Sequence, residues 1–132
     1  MEATCQCSQL RVRVPGPTAA VVACHRVACQ QRTGSPFGVA AYYPDSDVVV
    51  EGAAQRFDRP TALGGNFENY FCPACGSTVY FRGSKKAGVT GVAIGMFTTP
   101  HTMSPVRSVW EQSMHHWVTI PCAQDHFPMG RT

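Results

Sequence analysis

The sequence predicts a mainly β domain of antiparallel sheets with little helix. Short segments rich in Val, Tyr, Phe and Thr alternate apolar with polar residues, as strands with one buried face do. Clusters of Pro, Gly, Asp and Ser separate these segments at short intervals. Two tight pairs of cysteines, far apart in the chain, indicate a metal site that would hold such sheets together.

The first predicted strand begins near Cys5 and ends before Pro15, because apolar residues alternate there with arginines. Further strands are predicted at residues 18–24, 37–43, 48–51, 54–59, 66–72, 77–82, 89–97, 106–110 and 117–120. Gly91 and Gly95 within one of them predict a bulge or a close backbone approach. The polar residues 24–37 predict a loop with about one helical turn.

A single domain spans residues 1–132, and the composition of residues 121–132 predicts a loosely held tail. The net charge of +3 suits a site for small anions. It is too diffuse for nucleic acid, because no basic run is longer than Lys85 and Lys86. No apolar stretch is long enough to span a membrane and no leader is visible, so we expect a cytoplasmic protein.

The cysteine pairs, Cys5-Gln6-Cys7 and Cys72-Pro73-Ala74-Cys75-Gly76, match the ligand count of a closed tetrahedral zinc site. The proline fixes one φ, and the glycine permits the positive φ that turns backbone amides toward the sulfurs. The alternatives are disulfides or free thiols. A disulfide between cysteines two apart in a strand is strained, because their Cβ atoms point in parallel. We therefore predict one structural zinc on Cys5, Cys7, Cys72 and Cys75.

The order of several motifs resembles the glutathione-dependent formaldehyde-activating enzyme family, which includes centromere protein V and has an Mss4-like fold. The resemblance covers roughly residues 4–120. The motifs that carry it are Cys5-Gln6-Cys7, Cys24-His25 with Cys29, the run Arg32-Thr33-Gly34-Ser35-Pro36-Phe37, the knuckle Phe71-Cys72-Pro73-Ala74-Cys75-Gly76, the glycine-rich strand from Gly91 to Gly95, and Trp110-Glu111-Gln112-Ser113 with Trp117-Val118.

The resemblance also implies a catalytic zinc held by a C-H-C-x-x-C loop, which would include Cys24 and Cys29. Three thiolates leave one coordination position open. A glutathione thiol bound there would lose its proton and add to formaldehyde. The expected product is S-hydroxymethylglutathione, and the reverse reaction cleaves a carbon–sulfur bond.

This chain departs from that loop motif, because Arg26 stands where the middle cysteine is expected. A guanidinium has no free lone pair and stays protonated, so it cannot bind zinc. The change removes one negative charge and adds one positive charge, and both oppose a divalent metal. A second zinc is therefore doubtful.

Three outcomes are open at this loop. A substitute ligand comes from His25, His101, His115, His116 or Cys122. Alternatively, Arg26 and Arg32 form a metal-free anion pocket, with Gly34 and Ser35 presenting backbone amides to the substrate. The third outcome is a disulfide or redox pair of Cys24 and Cys29, with the thiol pKa lowered by Arg26.

These outcomes correspond to three functions. The first is a carbon–sulfur lyase or synthase acting on glutathione or a similar small thiol, with an impaired catalytic metal site. The second is a zinc-stapled module that binds a small molecule or a partner without catalysis. The third is a redox switch. Edge strands in a small β domain also make a homodimer an expectation.

Overall fold

The computed structural model describes residues 1–62, 64–84, 87–100 and 102–130. These residues form two β-sheets and one short α-helix. The helix, α1, spans Val27–Thr33. The strands in chain order are β1 (Glu2–Thr4), β2 (Arg11–Arg13), β3 (Val21–Cys24), β4 (Gly38–Pro44), β5 (Val49–Glu51), β6 (Gln55–Pro60), β7 (Asn66–Phe71), β8 (Thr78–Gly83), β9 (Val89–Ala93), β10 (Arg107–Val109) and β11 (Asp125–His126).

The small sheet has the strand order β1-β2-β5, and the large one has the order β11-β10-β3-β4-β9-β8-β7-β6. Every pair is antiparallel except the two made by β10, which runs parallel to β3 and to β11. The predicted mainly β fold with little helix is confirmed. The parallel pairs at one end of the large sheet are a difference from the all-antiparallel prediction.

The two sheets share one apolar core. Leu10 and Val12 of the small-sheet region are fully buried, and they belong to the same cluster as Val21, Ala41 and Val92 of the large sheet. Burying such side chains contributes about 1.5–3 kcal/mol each. The small sheet therefore covers one face of the large sheet.

The pleat of the large sheet directs other residues to its opposite face. Every second residue of β3 is fully buried, whereas Val22 and Cys24 between them are half-buried. The strand register places Cys24 beside Gly38 of β4 and Val109 of β10. It also places Arg107 beside Val22. These rows of neighbours line the cavity described below.

Most predicted strands are confirmed within a few residues, with three corrections. Within the predicted first strand only β2 forms, β1 precedes it and was not predicted, and Cys5 and Cys7 lie in the connection between β1 and β2. Strand β5 pairs with β2 and not with β4, its neighbour in sequence. Residues 117–120 form no strand, although Val118 and Ile120 are buried in a cluster with Ala23.

The loop predicted at residues 24–37 contains the seven-residue helix α1. Gly34, at φ 66, ends the helix and donates its backbone N–H to Gln30 O. Such a left-handed cap and packing against β4 stabilise a helix too short to form alone. Gly91 lies in β9 and confirms the predicted close approach, because a Cβ there would lie 2.9 Å from Tyr42 Cε1.

The chain after residue 120 packs back onto the large sheet. Strand β11 pairs with β10, and the Trp110 backbone N–H donates to Met129 O. Arg131 and Thr132 lie outside the described residues, as do Lys85, Lys86 and His101. None of the described helices has the length and apolarity needed to cross a bilayer.

Candidate metal centre and arginine-lined cavity

The four predicted ligands Cys5, Cys7, Cys72 and Cys75 converge, and all their sulfurs lie within 4.8 Å of one another. The Sγ atoms of Cys5 and Cys7 are 3.6 Å apart, as are those of Cys7 and Cys72. A tetrahedral ion about 2.3 Å from each sulfur sets neighbouring sulfurs about 3.8 Å apart. The cluster therefore has the dimensions of a closed four-sulfur metal site.

Local backbone geometry explains why each pair turns its sulfurs inward. After Cys7 the chain reverses through Ser8 at φ 67, and after Cys75 it reverses through Gly76 at φ 79. In the second turn the Gly76 N–H donates to Cys72 O at 2.8 Å. Glycine adopts a positive φ at no steric cost, which fits the predicted role of Gly76.

Polar groups around three of the four sulfurs favour the thiolate forms that a metal ion requires. The Leu10 N–H donates to Cys5 Sγ at 3.2 Å, and the Gln9 side-chain amide donates to Cys72 Sγ at 3.3 Å. Hydrogen bonds from Ser77 lower the pKa of Cys75 to about 5. The four residues thus fit a bound cation, which would join the β1–β2 connection to the β7–β8 hairpin and supply structural cross-linking without an open position.

Cys24 and Cys29 lie in a different place, at a cavity of about 240 Å³ on the second face of the large sheet. Its wall combines β3, β4, β8 and β10 with α1, β6 and the last described residues. The lining residues are Val22, Cys24, Arg26, Cys29, Arg32, Gly38, Val39, Ala40, Tyr42, Arg59, Phe67, Phe81, Arg107, Val109, Trp110 and Gly130. Among these described lining residues four are arginines and none is acidic.

The two thiols of the cavity form a hydrogen-bonded pair. Their Sγ atoms are 3.2 Å apart, and both residues are half-buried. The hydrogen bond with Cys24 and the guanidinium groups of Arg32, Arg59 and Arg26 lower the pKa of Cys29 to about 6, against the effect of burial. The same hydrogen bond and burial raise the pKa of Cys24. The pair therefore gives up its first proton more readily than an ordinary thiol does, and its second less readily.

Aromatic rings and not carboxylates hold three of the cavity arginines. The Arg26 guanidinium lies 4.1 Å from the ring centroid of Trp110. Arg32 and Arg59 stack on phenylalanine rings at 4.4 and 5.0 Å. Among the described residues none of the three forms an ion pair with an acidic side chain. Their positive charge is therefore available to Cys29 and to an anionic ligand.

Gly38 leaves space for a guanidinium in the cavity, and Arg107 contributes a buried donor. A Cβ at Gly38 would lie 2.5 Å from Arg32 Nη2, so the absence of a side chain makes room for that guanidinium. The Nε atom of Arg107 is buried and has no hydrogen-bond partner in the described part of the chain. An anion in the cavity would supply an acceptor for such a donor.

Among the described residues no substitute third metal ligand joins Cys24 and Cys29, and His101, another predicted substitute, lies outside them. Within the described ranges, the single group of three or more His, Cys, Asp or Glu donors at coordinating distance is the four-cysteine cluster. His25 is fully buried with its Nε2 atom 2.9 Å from Ser108 Oγ, and His115 Nε2 is 2.8 Å from Gln30 Oε1. His116 and Cys122 are exposed. Two thiols beside Arg26 do not fit the three-thiolate zinc site that the resemblance implies.

The predicted substrate residues are only partly brought together. Arg26 and Arg32 line the cavity, but Gly34 and Ser35 do not. Gly34 caps α1, and the Ser35 backbone N–H is engaged by Thr33 Oγ1 at 3.1 Å. Their assignment to substrate binding stays a prediction, and the cavity geometry gives it no support.

Arg59 and Arg107 of the cavity were not predicted, because both lie 30 or more positions after Cys29 in the sequence. Each stands in a strand-forming segment where an isolated arginine is typical of a solvent-facing position. Trp110 belongs to a motif of the resemblance, but its contact with Arg26 was not expected. The strand pairing of β10 with β3 brings Arg107 and Trp110 to the thiols.

Comparison with known proteins gives a family and a fold. A family model described as glutathione-dependent formaldehyde-activating enzyme matches residues 1–113. A crystal structure of a Rhodobacter sphaeroides protein superposes with a TM-score of 0.61 and 22% identity, covering 76% of this chain and 92% of that one. At that identity the likeness concerns the fold alone. Comparison with curated proteins finds no match.

Proposed function

This chain belongs to the glutathione-dependent formaldehyde-activating enzyme family, and we propose that it forms and cleaves the carbon–sulfur bond of a small thiol–formaldehyde adduct. In this proposal the thiol is glutathione or a similar anionic thiol metabolite. The reaction takes place in the arginine-lined cavity. Cys29 acts there as a proton-transferring thiolate, with Cys24 as its hydrogen-bond partner.

The observation that carries the proposal is a thiol pair among guanidinium groups for which the described part of the chain supplies no acidic partner. The hydrogen bond with Cys24 and the guanidinium groups of Arg32, Arg59 and Arg26 lower the pKa of Cys29 to about 6. A general base works best when its pKa is near the operating pH. The same guanidinium groups suit the carboxylates of glutathione, because Arg binds a carboxylate through two parallel hydrogen bonds. One charge pattern thus serves both substrate binding and proton transfer.

The proposed synthesis direction has three steps. The Cys29 thiolate accepts the proton of the substrate thiol. The substrate thiolate then attacks the formaldehyde carbon, forming the carbon–sulfur bond and leaving the carbonyl oxygen as an alkoxide. The Cys29 thiol returns the proton to that oxygen, which gives the hydroxymethyl thioether and restores the thiolate. Guanidinium donors stabilise the alkoxide while it exists.

The cavity volume of about 240 Å³ is below the range of about 300–1,000 Å³ for sites that enclose a drug-sized ligand. The reacting thiol end and formaldehyde would therefore enter it, and the rest of a tripeptide would lie outside. A groove with Phe57, Phe71 and Gln31 in its wall adjoins the cavity and shares Cys29, Arg32 and Arg59 with it. This groove is where we place the outer part of the substrate.

The four-cysteine cluster has a separate role in the proposal. We assign it one zinc ion, because four sulfurs in tetrahedral spacing are typical of structural zinc sites. Metal analysis of the purified protein tests this, with one tightly held zinc per chain as the expected result.

The proposed activity is tested by NMR exchange spectroscopy with ¹³C-formaldehyde and glutathione. The wild-type protein is expected to accelerate interconversion of formaldehyde and S-hydroxymethylglutathione. Cys29→Ser removes the proton acceptor and is expected to lower the catalysed rate by about 100-fold or more. Cys122→Ser removes an exposed thiol outside the cavity and is the matched control, with an unchanged rate.

Equal rates for wild type and Cys29→Ser would contradict the proposed chemistry. No described residue supplies a third metal ligand beside Arg26, and this favours a second candidate, a module that binds the same thiol without turning it over. Calorimetric titration with glutathione separates the two functions. Binding without any acceleration of exchange supports the module, and acceleration supports the enzyme.

A further inference from the structure

The Cys24–Cys29 pair has features that the proposed carbon–sulfur chemistry does not need. That chemistry uses one thiolate, yet a second thiol lies 3.2 Å from it. Both side chains are half-buried at the cavity, so a molecule of a few atoms can reach them. A disulfide bond requires the two sulfurs to approach to about 2.05 Å, which is a short movement from the present separation.

We propose that Cys24 and Cys29 form a peroxide-reactive dithiol, which hydrogen peroxide converts to an intramolecular disulfide. Cys29 is the attacking thiol and Cys24 is the resolving thiol. The inference does not depend on which thiol metabolite the cavity binds, because the oxidant reacts with the free protein.

The reaction balances with hydrogen peroxide as the only oxidant. The Cys29 thiolate attacks one peroxide oxygen, the O–O bond breaks, and hydroxide leaves while Cys29 becomes a sulfenic acid. The hydroxide takes the Cys24 proton and forms water. The Cys24 thiolate then attacks the Cys29 sulfur, forms the S–S bond and expels a second hydroxide. Two electrons pass from the two sulfurs to the two oxygens.

The assignment of roles follows from the charges that face the two sulfurs. The titratable or charged side chains that act on Cys29 are Cys24, Arg26, Arg32, Arg59 and Tyr42. The guanidinium groups stabilise the Cys29 thiolate and can donate hydrogen bonds to the leaving hydroxide. Cys24 keeps its proton, because its hydrogen bond with Cys29 and burial raise its pKa. A protonated thiol close to a thiolate is suited to the second step.

The surroundings of the pair also favour oxidation over metal binding. A metal would need a third donor, and none of the described His, Cys, Asp or Glu side chains supplies one. The two thiols are therefore not protected by coordination. The four sulfurs of the metal centre, by contrast, would be covered by their ion.

The test uses the metal-loaded Cys122→Ser protein, in which the exposed thiol outside the cavity is removed. One equivalent of hydrogen peroxide is added, free thiols are alkylated, and the peptides are mapped by mass spectrometry. We expect loss of two alkylatable thiols per chain, a Cys24–Cys29 cross-link two mass units lighter than the dithiol, and recovery with dithiothreitol. The four metal-centre cysteines are expected to stay unlinked.

Two variants separate the roles. Cys24→Ser leaves no resolving thiol, so Cys29 sulfenic acid should accumulate and be trapped by dimedone. Cys29→Ser should leave Cys24 unoxidised under the same conditions. Circular dichroism of both variants confirms that they are folded, since neither residue belongs to the metal centre.

The pH dependence gives a further readout. When the pH falls from about 8 to 6, the thiolate fraction of a thiol with a pKa of about 6 falls only about twofold. For an ordinary cysteine with a pKa of about 8.5, the thiolate fraction falls roughly 75-fold. The oxidation rate of Cys29 should therefore fall about twofold over this range. The oxidation rate of a small-molecule thiol such as N-acetylcysteine, measured in the same buffers, should fall far more steeply.

The inference is overturned if peroxide leaves Cys24 and Cys29 alkylatable in a folded protein, or if it links metal-centre cysteines first. These assays contain no glutathione or formaldehyde, so their outcome is independent of the proposed enzymatic activity. A Cys24–Cys29 cross-link in a protein without exchange activity would support the peroxide-reactive dithiol and reject the enzyme. Exchange activity in a protein that forms no cross-link would support the enzyme and reject the dithiol.

Discussion

The two cysteine clusters of this protein balance the charge on their sulfurs in different ways. At the metal centre four sulfurs face one another, and their neighbours are peptide N–H groups and uncharged side chains such as Gln9 and Ser77. At the cavity two sulfurs face guanidinium groups. Four thiolates without a cation would repel one another, whereas one thiolate beside several arginines is already compensated.

The comparison shows how one residue changes the chemistry of a site. Arg26 both removes a potential ligand and supplies a fixed cation, which stacks on Trp110 4.1 Å away. A fixed guanidinium stabilises the same thiolate that a metal ion would otherwise bind. In our proposals the cavity therefore keeps a reactive sulfur without a metal, while the four-cysteine cluster would bind an ion that compensates the charge on its sulfurs.

The largest effect is expected from a substitution that removes a ligand of the metal centre. Cys72→Ser removes a fully buried ligand. A structural zinc contributes about 10 kcal/mol or more to folding, and the whole stability of a domain is about 5–15 kcal/mol. We expect loss of zinc and of the cooperative thermal transition, measured by metal analysis and circular dichroism. Cys24→Ser, at the other cluster, should melt cooperatively with its zinc. A cooperative melt for metal-free Cys72→Ser would show that the cluster does not hold the fold together.

A second prediction concerns a variant that gives the cavity the three thiols of a metal site. Arg26→Cys restores the third thiol and removes the cation, so zinc per chain should rise from one toward two. Arg26→Ser removes the same charge without adding a ligand and should stay at one. An unchanged zinc content in folded Arg26→Cys would mean that the loop does not have the shape of a three-thiolate site.

A third prediction concerns the guanidinium groups of the cavity and their role in binding glutathione. Arg32→Gln removes a guanidinium from the cavity, and hydrogen bonds to charged groups contribute about 1.5–3 kcal/mol. We expect the affinity for glutathione to fall about 10- to 100-fold by calorimetry. Arg13→Gln makes the same charge change in the small sheet and should bind normally. Equal losses in both variants would indicate a general charge effect and no specific site.

The smallest effect is expected from a variant that displaces the Arg32 side chain without removing it. In Gly38→Ala the new methyl group would lie 2.5 Å from Arg32 Nη2, the mobile end of a flexible side chain. We expect glutathione affinity to fall by less than about tenfold. Gly16→Ala is the control, because no atom lies within 4 Å of its Cβ position. An affinity loss larger than that of Arg32→Gln would show that Gly38 acts through something other than this arginine.

The sequence by itself determined the features that depend on neighbours in the chain. The two cysteine pairs, with their turn residues, predicted a four-sulfur cluster that the structure brings within 4.8 Å. Alternation of apolar residues predicted most strands, and Arg26 marked the departure at the cysteine loop. These signals are local, because a turn or a pleat is fixed by a few consecutive residues.

The tertiary structure alone decided how distant strands pair and which charges meet in the cavity. Arg59 comes from β6 and Arg107 from β10, and the parallel pairing of β10 with β3 places Arg107 beside Val22. Nothing in the period of a strand states its partner or register, which are set by the packing of both sheet faces. For the same reason the sequence predicts only a loop with about one helical turn where α1 forms, since the stability of α1 comes from β4 and the Gly34 cap and not from helix propensity.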